Sequence, residues 1–211
     1  MNSEIKVYTN AKGKMEGTHH ISCASGQSGI CHGCLMNHVC YALRYQKLRP
    51  SVKQSYWHNG EVLTSRVFDM SELPYVNAMQ CRFNAFGELL VGKKGEIQLT
   101  NYVNICRKNP RVHFALWSRN YKLVEDYFKM HGKPSNLKII MSAPNINAAI
   151  TKADPIWDGI FNVVTPEYAE KHNLTINCGA LDDEGKKIPC IRCPTGCYNP
   201  GTRPMCYELV K

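Results

Sequence analysis

The cysteines are the residues whose spacing most clearly predicts chemistry in this chain. Of the 11 cysteines in 211 residues, all but Cys81 and Cys106 fall into two groups near the two ends. Each group contains a C-x-x-C motif, at Cys31–Cys34 and at Cys190–Cys193. Two intervening residues let both thiolates face one metal ion or cluster, and sets of four cysteines bind zinc or iron–sulfur clusters. The sequence therefore predicts a metal centre.

The C-terminal group gives the stronger signal. Its cysteines are interleaved with proline and glycine, which keep a loop irregular so that backbone N–H groups can point at cluster sulfides. A structural zinc site would use the same thiolates, so spacing alone leaves both metals open. The predicted ligands, with Cys206 as a substitute for one of them, are Cys178, Cys190, Cys193 and Cys197.

The N-terminal group supplies a second set of four. A helix is predicted from Tyr41 to Leu48, directly after the last of these cysteines, and the positive end of a helix favours an anionic cluster. His32 and His38 are less favoured alternative ligands. Because both ends of the chain can meet at one face of a barrel, ligands of the two groups could also combine. The predicted ligands are Cys23, Cys31, Cys34 and Cys40.

The two remaining cysteines are interpreted as core thiols. Cys81 lies inside a predicted strand, and Cys106 lies on the apolar face of a predicted helix. A buried free cysteine behaves as a small hydrophobic residue. We therefore expect no metal ligation from either.

The composition indicates a single cytoplasmic domain. The chain has a mass of 23.9 kDa and is 44% hydrophobic, enough for one core. No apolar run approaches the ~20 residues that cross a bilayer, and residues 1–6 lack a signal-peptide hydrophobic stretch. In a reducing cytosol, clustered cysteines bind metal more often than they form disulfides. We therefore predict a cytoplasmic protein without membrane attachment.

The net charge of +9 makes nucleic acid an alternative partner. The basic residues are dispersed, however, and a solvated surface explains them better than a binding groove. Two [4Fe-4S] clusters, each carrying about −2 with its thiolates, would also reduce the total. A zinc-stabilised nucleic-acid-binding protein, using the Tyr- and Arg-bearing helix after Cys40, is therefore the less favoured interpretation.

The middle of the chain alternates predicted strands and helices. Leu99, Tyr102, Val103 and Cys106 show the i, i+3, i+4, i+7 spacing of an amphipathic helix. Short connections between such units imply right-handed crossovers and a parallel sheet. The predicted strands are residues 79–83, 113–117, 137–141, 160–164 and 174–177, with helices around 99–106, 123–131 and from 165 onward.

The number of these units predicts the fold class. A partial or compact (β/α) barrel suits the chain better than a full eight-fold barrel, which needs ~250 residues, and an open doubly wound sheet is the alternative. We predict a single α/β domain over 1–211. Its parts are a cysteine-rich loop and helix at 18–48, a β/α core at 75–177 and a cysteine-rich segment at 178–211.

Polar residues follow three predicted strands at their carboxyl ends, where barrels and open sheets place ligand-binding residues. They could converge around one substrate pocket, or they could cap helices and satisfy loop backbones, and the two interpretations are weighted equally. The residues are Arg82, Asn84, Glu88, Arg119 and Asn145.

Three segments together resemble the bacteriophage "gene product 88" domain family. They are the N-terminal cysteine segment ending Cys40-Tyr41-Ala42, the run Arg82–Glu88 followed by Asn109-Pro110 and Phe114–Trp117, and the C-terminal cysteine segment Cys178–Tyr198. The resemblance implies a phage or prophage origin and iron–sulfur ligation by these cysteines, but no particular reaction. Cys206 and the gap between Cys178 and Cys190 depart from the family pattern.

The layout also resembles radical S-adenosylmethionine enzymes, with an early cysteine loop, a partial barrel and a late auxiliary cluster. Their C-x3-C-x2-C run is missing, and Gly87-Glu88 only faintly matches their Gly-Gly-Glu loop. We therefore expect a protein with one or two [4Fe-4S] clusters, a redox or cluster-dependent enzymatic role, and an electron donor or acceptor protein as partner. A diverged enzyme of that radical class is a further alternative.

Overall fold

The computed structural model describes residues 3–10 and 12–210. Within them lie seven strands, six α-helices and two short 3-10 helices. The strands are β1 (Tyr8–Thr9), β2 (His19–Ile21), β3 (Gln80–Phe83), β4 (His113–Ser118), β5 (Leu137–Ser142), β6 (Gly159–Val164) and β7 (Met205–Leu209). The α-helices are α1 (Gly29–His32), α2 (Tyr41–Leu48), α3 (Pro50–Ser65), α4 (Gly92–Lys108), α5 (Tyr121–His131) and α6 (Pro166–Lys171). The 3-10 helices are Asn37–Val39 and Cys190–Arg192.

The seven strands form one sheet whose spatial order follows the chain from β1 to β7. β1 is antiparallel to β2, and each later neighbouring pair is parallel. This confirms the predicted α/β class with a mainly parallel sheet. Among the described residues β1 and β7 do not pair with each other, so the hydrogen bonding gives an open sheet. The strand order also lacks the reversal that a doubly wound sheet requires.

One face of the sheet, the helix face, carries the main hydrophobic core. Phe83, Phe114, Leu116 and Ile139 alternate onto this face and are fully buried. They pack in one cluster with apolar residues of α3, α4 and α5. Since every parallel crossover advances in the same direction, right-handed connections place these helices on the same side.

The opposite face, the cysteine face, carries a smaller core under the irregular segment 178–204. Strand register places its residues side by side, because paired residues of neighbouring strands point to the same side. Trp117, Ile140 and Tyr198 form a cluster here, with Phe161 packed against it. The residues that define the cysteine face are His20, Arg82, Trp117, Ile140, Phe161 and Cys206.

Most predicted elements are confirmed within a few residues at their ends, including the helix that begins at Tyr41. The predicted strand at 174–177 is wrong. The Asn177 side-chain amide instead donates to the Met205 carbonyl and accepts from the Tyr207 N–H, which occupies the β7 edge that another strand would need. The observed elements absent from the predicted strands and helices are β1, β2, α1, α3, β7 and the two 3-10 helices. None of the described helices is long and apolar enough to span a bilayer.

Candidate metal centre

The C-terminal cysteines come together on the cysteine face. Five of them line one cavity of about 30 Å3 and reach it from three parts of the chain. Cys178 follows α6, and Cys206 lies within β7. The other three cysteines lie in the looped segment 190–197 between them. The cavity's cysteines are Cys178, Cys190, Cys193, Cys197 and Cys206. The structure thus gathers the predicted C-terminal set together with its predicted substitute.

Tight turns bring the central three cysteines to this cavity. The Cys193 N–H donates to the Cys190 carbonyl at 3.2 Å, and the Gly196 N–H donates to the Cys193 carbonyl at 3.2 Å. A longer-range bond anchors the segment, because the Cys190 N–H donates to the Lys14 carbonyl at 2.7 Å. A residue near β1 therefore holds the looped segment beside β7, at the other end of the sheet.

Cys197 and Cys206 form the closest thiol pair described. Their sulfurs are 3.3 Å apart, and Cys206 is completely buried. The hydrogen bond between them lowers the pKa of Cys197 and, together with burial, raises the pKa of Cys206. The two thiols of this pair therefore differ, and Cys197 loses its proton more readily than Cys206.

Three cations surround the cavity thiols. Lys14 Nζ donates to Cys178 Sγ at 3.4 Å and to both carboxylate oxygens of Glu208 at 3.0 Å. Lys138 Nζ donates to Thr202 Oγ1 at 2.6 Å, and its positive charge helps lower the pKa of Cys197. The third cation is Arg82 of β3.

Arg82 is the unusual member of this set. Its guanidinium lies 4.1 Å from the centre of the Trp117 ring. Its buried Nε has no hydrogen-bond partner among the described residues, and no described carboxylate forms a salt bridge with it. A buried cation is costly unless an anion compensates it. The cavity thiols, once ionised, are among the groups placed to do so. Against the opposing effect of burial, negative charge on Tyr41 and Tyr198, followed by Cys190 and Cys178, raises the pKa of Arg82.

The donor chemistry fits a thiolate-bound centre. Burial raises the pKa of Cys178 to about 12 and also raises that of Cys190, so these thiols ionise readily only when a metal takes the proton's place. No three His, Cys, Asp or Glu side chains in the described part of the chain are gathered closely enough to hold one metal ion. A cluster of several irons spreads its thiolates more widely than a single ion does.

The N-terminal cysteines lie on a separate loop after β2. Successive turns connect them, since the N–H groups of Cys34, Asn37 and Cys40 each donate to the carbonyl three residues earlier. Cys31, Cys34 and Cys40 are half-buried. Burial raises the pKa of Cys31, and negative charge on Cys34 and Cys40 raises it further. These three thiols are therefore near one another. None of the contacts described above joins this group to the C-terminal one.

Cys23 has a different environment from its three predicted co-ligands. It is completely buried, and its thiol donates to Asn84 Oδ1 at 3.4 Å and to the Glu88 carbonyl at 3.2 Å. Burial raises its pKa to about 12. Gly87, at a φ of +79°, passes so close that an added Cβ would lie 2.6 Å from the Cys23 sulfur. As for the predicted alternative ligands, His32 Nε2 lies 2.9 Å from the Gly26 carbonyl, and His38 is exposed.

The predicted substrate residues do not all share one pocket. Glu88, Arg119 and Asn84 lie near the carboxyl ends of β3 and β4, while Arg82 lines the cysteine cavity. Asn145 makes a local contact, accepting from the Ile146 N–H at 2.8 Å. Their common substrate-binding role stays a prediction.

Glu88 is the best-connected of these residues. Its carboxylate accepts from the Ser118 hydroxyl and from the backbone N–H groups of Leu89 and Arg119, each at 2.8 Å. Burial nevertheless raises its pKa. These bonds match the alternative in which the strand-end residues satisfy loop backbones.

The core assignment of the remaining cysteines is confirmed. Cys81 and Cys106 are completely buried within the core on the helix face. Sequence reasoning missed Lys14, Tyr198 and Glu208, which line or flank the cavity. Lys14 lies in an irregular stretch without periodicity, so no local pattern could have revealed it. A charged residue alternating with Cys206 in an apolar strand could have pointed to Glu208.

The fold and this site define an α/β protein with an open, mainly parallel sheet and a cysteine-lined cavity on the face opposite its helices. The family described as Gene product 88 matches residues 3–204, and the chain belongs to this family. The resemblance drawn from its sequence segments is thereby confirmed. Neither the curated proteins nor the solved structures yielded a match to this chain.

Proposed function

We propose that this protein is a phage-encoded iron–sulfur protein acting in the host cytosol, with a [4Fe-4S] cluster held on the cysteine face. The ligands come from Cys178, Cys190, Cys193, Cys197 and Cys206. The half-buried Cys31, Cys34 and Cys40, with Cys23 as a fourth residue, are the ligand set for a second cluster. The sheet would curve around the cysteine segment as a partial barrel, with its two edges linked through Lys14 and Glu208.

The observation that carries this proposal is the combination of five thiols with a half-buried arginine whose Nε has no hydrogen-bond partner among the described residues. A [4Fe-4S] cluster with four thiolates has a net charge of about −2. Arg82 lines the same cavity without a carboxylate partner among the described residues, and Lys14 touches Cys178 directly. The cluster would supply the missing negative charge, and the cations would in turn stabilise its reduced or more anionic form.

The bound cluster would supply one-electron redox chemistry. If only three cysteines bind it, one iron stays open to a substrate, and a cluster-dependent enzymatic step is then the second possible role. The chain's own residues tune the site. Trp117 and Tyr198 exclude water beside the ligands, with ring centres 5.7 Å apart. Nearby positive charge from Arg82 and Lys138 raises the reduction potential of a centre, because it favours the added electron. The partner would be an electron donor or acceptor protein.

The test is to measure iron, zinc and acid-labile sulfide per chain in protein purified without oxygen. About four iron and four sulfide indicate one cluster, and about eight of each indicate two. Absence of iron and sulfide from anaerobic protein overturns the proposal.

Matched serine variants locate the ligands. We expect Cys193→Ser to remove a cluster's worth of iron and sulfide from the C-terminal site, and Cys34→Ser to remove only a second cluster. The control is Cys106→Ala, which changes a core thiol and leaves metal content unchanged. If Cys106→Ala loses iron as completely as Cys193→Ser does, the loss reflects folding and not ligation.

The proximity of Cys197 and Cys206 makes zinc a second candidate. Two thiolates on a tetrahedral Zn2+ with Zn–S bonds of ~2.3 Å lie about 3.8 Å apart, so the two sulfurs at 3.3 Å would separate slightly, and the remaining thiols of the cavity would move inward, to bind one ion. In that case the centre is structural, and the net charge of +9 makes nucleic acid its natural partner. Stoichiometric zinc without sulfide, together with salt-dependent binding to single- or double-stranded DNA, would establish this alternative.

A further inference from the structure

A second cavity opens beside β1 and β2 and contains none of the predicted metal ligands. Its volume is about 530 Å3, within the range of ~300–1,000 Å3 typical of small-molecule sites. Five of its lining residues carry aromatic rings, and we call it the aromatic pocket. Its rings are those of Tyr8, His20, Tyr45, Tyr56 and Phe86.

The rings come from two strands, two helices and the loop after β3, and they pack against one another. Tyr8 stacks on His20 at 5.1 Å with an angle of 20° between the planes. Phe86, in the loop after β3, contacts Tyr45 of α2 at 5.3 Å and Tyr56 of α3 at 5.0 Å. The pocket is therefore preformed by packing between distant segments, and the rings that line it form an aromatic wall.

His20 supplies a hydrogen-bonding group within this aromatic wall. Its Nδ1 lies 2.8 Å from the Ser22 hydroxyl oxygen, which also accepts from the Phe86 N–H at 3.2 Å. Among the described residues Nε2 has no hydrogen-bond partner, so it is available to a ligand. Burial and the nearby charges of Arg82 and His19 lower the pKa of His20 to about 4, which keeps the ring neutral at pH 7.

Polar and charged groups complete the pocket on its open side. Asn10 donates its amide N–H to the Thr18 carbonyl at 2.8 Å, which leaves its Oδ1 as an acceptor. Lys12 is exposed in the lining, and Arg49 lies 4.6 Å from the centre of the Tyr45 ring. The described lining contains no carboxylate. The pocket therefore combines aromatic surfaces, the Nε2 of His20 and the Oδ1 of Asn10 with a cationic rim.

We propose that the aromatic pocket binds a nucleotide, with its base among the rings of Tyr45, Tyr56 and Phe86 and its phosphate at Lys12. Every nucleobase presents a flat π-face for stacking and an edge with both donors and acceptors, which matches His20 Nε2 and Asn10 Oδ1. A free mononucleotide suits an open cavity of this volume. A base extended from a single strand carries the same chemistry, and the experiment separates the two sources.

The experiment is calorimetric titration of the purified full chain with AMP, GMP, CMP and UMP. The corresponding nucleosides, inorganic phosphate and single-stranded tetranucleotides serve as comparison probes. We expect at least one nucleoside monophosphate to bind with a Kd below ~1 mM, its nucleoside to bind more weakly, and phosphate alone to give no signal. A tetranucleotide that binds much more tightly than any mononucleotide assigns the same pocket to a strand.

Variants place the binding in the aromatic pocket. Tyr45→Ala should weaken it by about fivefold to a hundredfold through lost stacking, and Tyr45→Phe should retain it. The control is Tyr75→Ala, a change at an exposed ring that contacts Lys108 and lies outside the pocket lining. Lys12→Ala should weaken the nucleotide but not the nucleoside, whereas Lys152→Ala, at another exposed lysine, should change neither.

Two results overturn this inference: no binding of any of the four nucleotides at millimolar concentration, or binding that Tyr45→Ala and Lys12→Ala leave unchanged. Should Tyr45→Ala fail to fold, the exposed Lys12 carries the test alone. Because the readout is nucleotide affinity and not metal content, the result is independent of whether iron, zinc or neither occupies the cysteine face.

Discussion

The two faces of the sheet are built on different principles. On the helix face, Phe83, Tyr102 and Phe114 are completely buried, and the first two stack with ring centres 4.0 Å apart. On the cysteine face, the side chains between the strands and the covering loop include Arg82, Lys14 and five cysteines. Close apolar packing stabilises a fold without any cofactor, while buried cations and thiols are costly until a metal centre neutralises them. The helix face therefore supports the fold, and the cysteine face carries the groups that the proposed metal centre would use.

The largest expected difference between the faces is in aromatic truncation. Phe114→Ala should lower the free energy of unfolding of metal-free protein by about 3–5 kcal/mol, because it leaves a cavity in a closed core. Phe161→Ala, on the half-buried cysteine face, should cost about 1–2 kcal/mol, since less surface is buried there. Urea unfolding followed by circular dichroism measures both. Equal losses at the two positions would contradict the distinction.

A smaller effect should appear as a pH dependence from His20 on the cysteine face. Its pKa in the folded protein is lowered to about 4 from 6.5, so the unfolded chain binds more protons between these values. The stabilising contribution is complete above pH 6.5 and declines as the pH falls toward 4. We expect a loss of about 2 kcal/mol between pH 7 and pH 5.

Urea unfolding at the two pH values, in wild type and in His20→Gln, isolates this contribution. The variant should be less stable at pH 7 but should show a flatter pH dependence. His58→Gln, at an exposed position of α3, should keep the wild-type dependence. A His20 variant with the full wild-type slope would assign the effect to other groups.

The smallest effect, and the only one of opposite sign, concerns Arg82. Arg82→Met should raise the free energy of unfolding of metal-free protein by about 1 kcal/mol, because it removes a half-buried cation whose Nε has no hydrogen-bond partner among the described residues, at the cost of one cation–π contact. In protein purified with its metal the same change should accelerate the loss of iron and sulfide. Arg203→Met, at an exposed arginine of the covering loop, should do neither. If Arg82→Met instead destabilises the metal-free protein, groups of the protein itself already compensate the charge of Arg82 without a metal centre.

Local patterns in the chain were sufficient for the elements of the sheet's middle and for the core thiols. β4, α5 and β5 follow from apolar periodicity bounded by glycine, proline or asparagine. The helix at Tyr41 was also predicted, whereas α3 was missed because its buried residues include Asn59, Gly60 and Thr64 alongside apolar ones. The false strand at 174–177 shows the same limit. The Asn177 side chain bonds to the Met205 carbonyl and the Tyr207 N–H of β7, and the backbone N–H groups of Asn177 and Cys178 both donate to the Tyr207 carbonyl instead of forming a strand ladder.

Covalent spacing within a segment is enough to predict that C-x-x-C pairs serve one centre, because two intervening residues restrict where the sulfurs can point. It cannot place Cys206 beside Cys197, or Lys14 beside Glu208, because these pairs depend on which strands become neighbours and on which face each residue alternates. The aromatic pocket has the same origin, as its rings come from elements far apart in the chain. Residue types and local spacing thus account for the kind of chemistry expected, while contacts between distant segments determine which residues share a site.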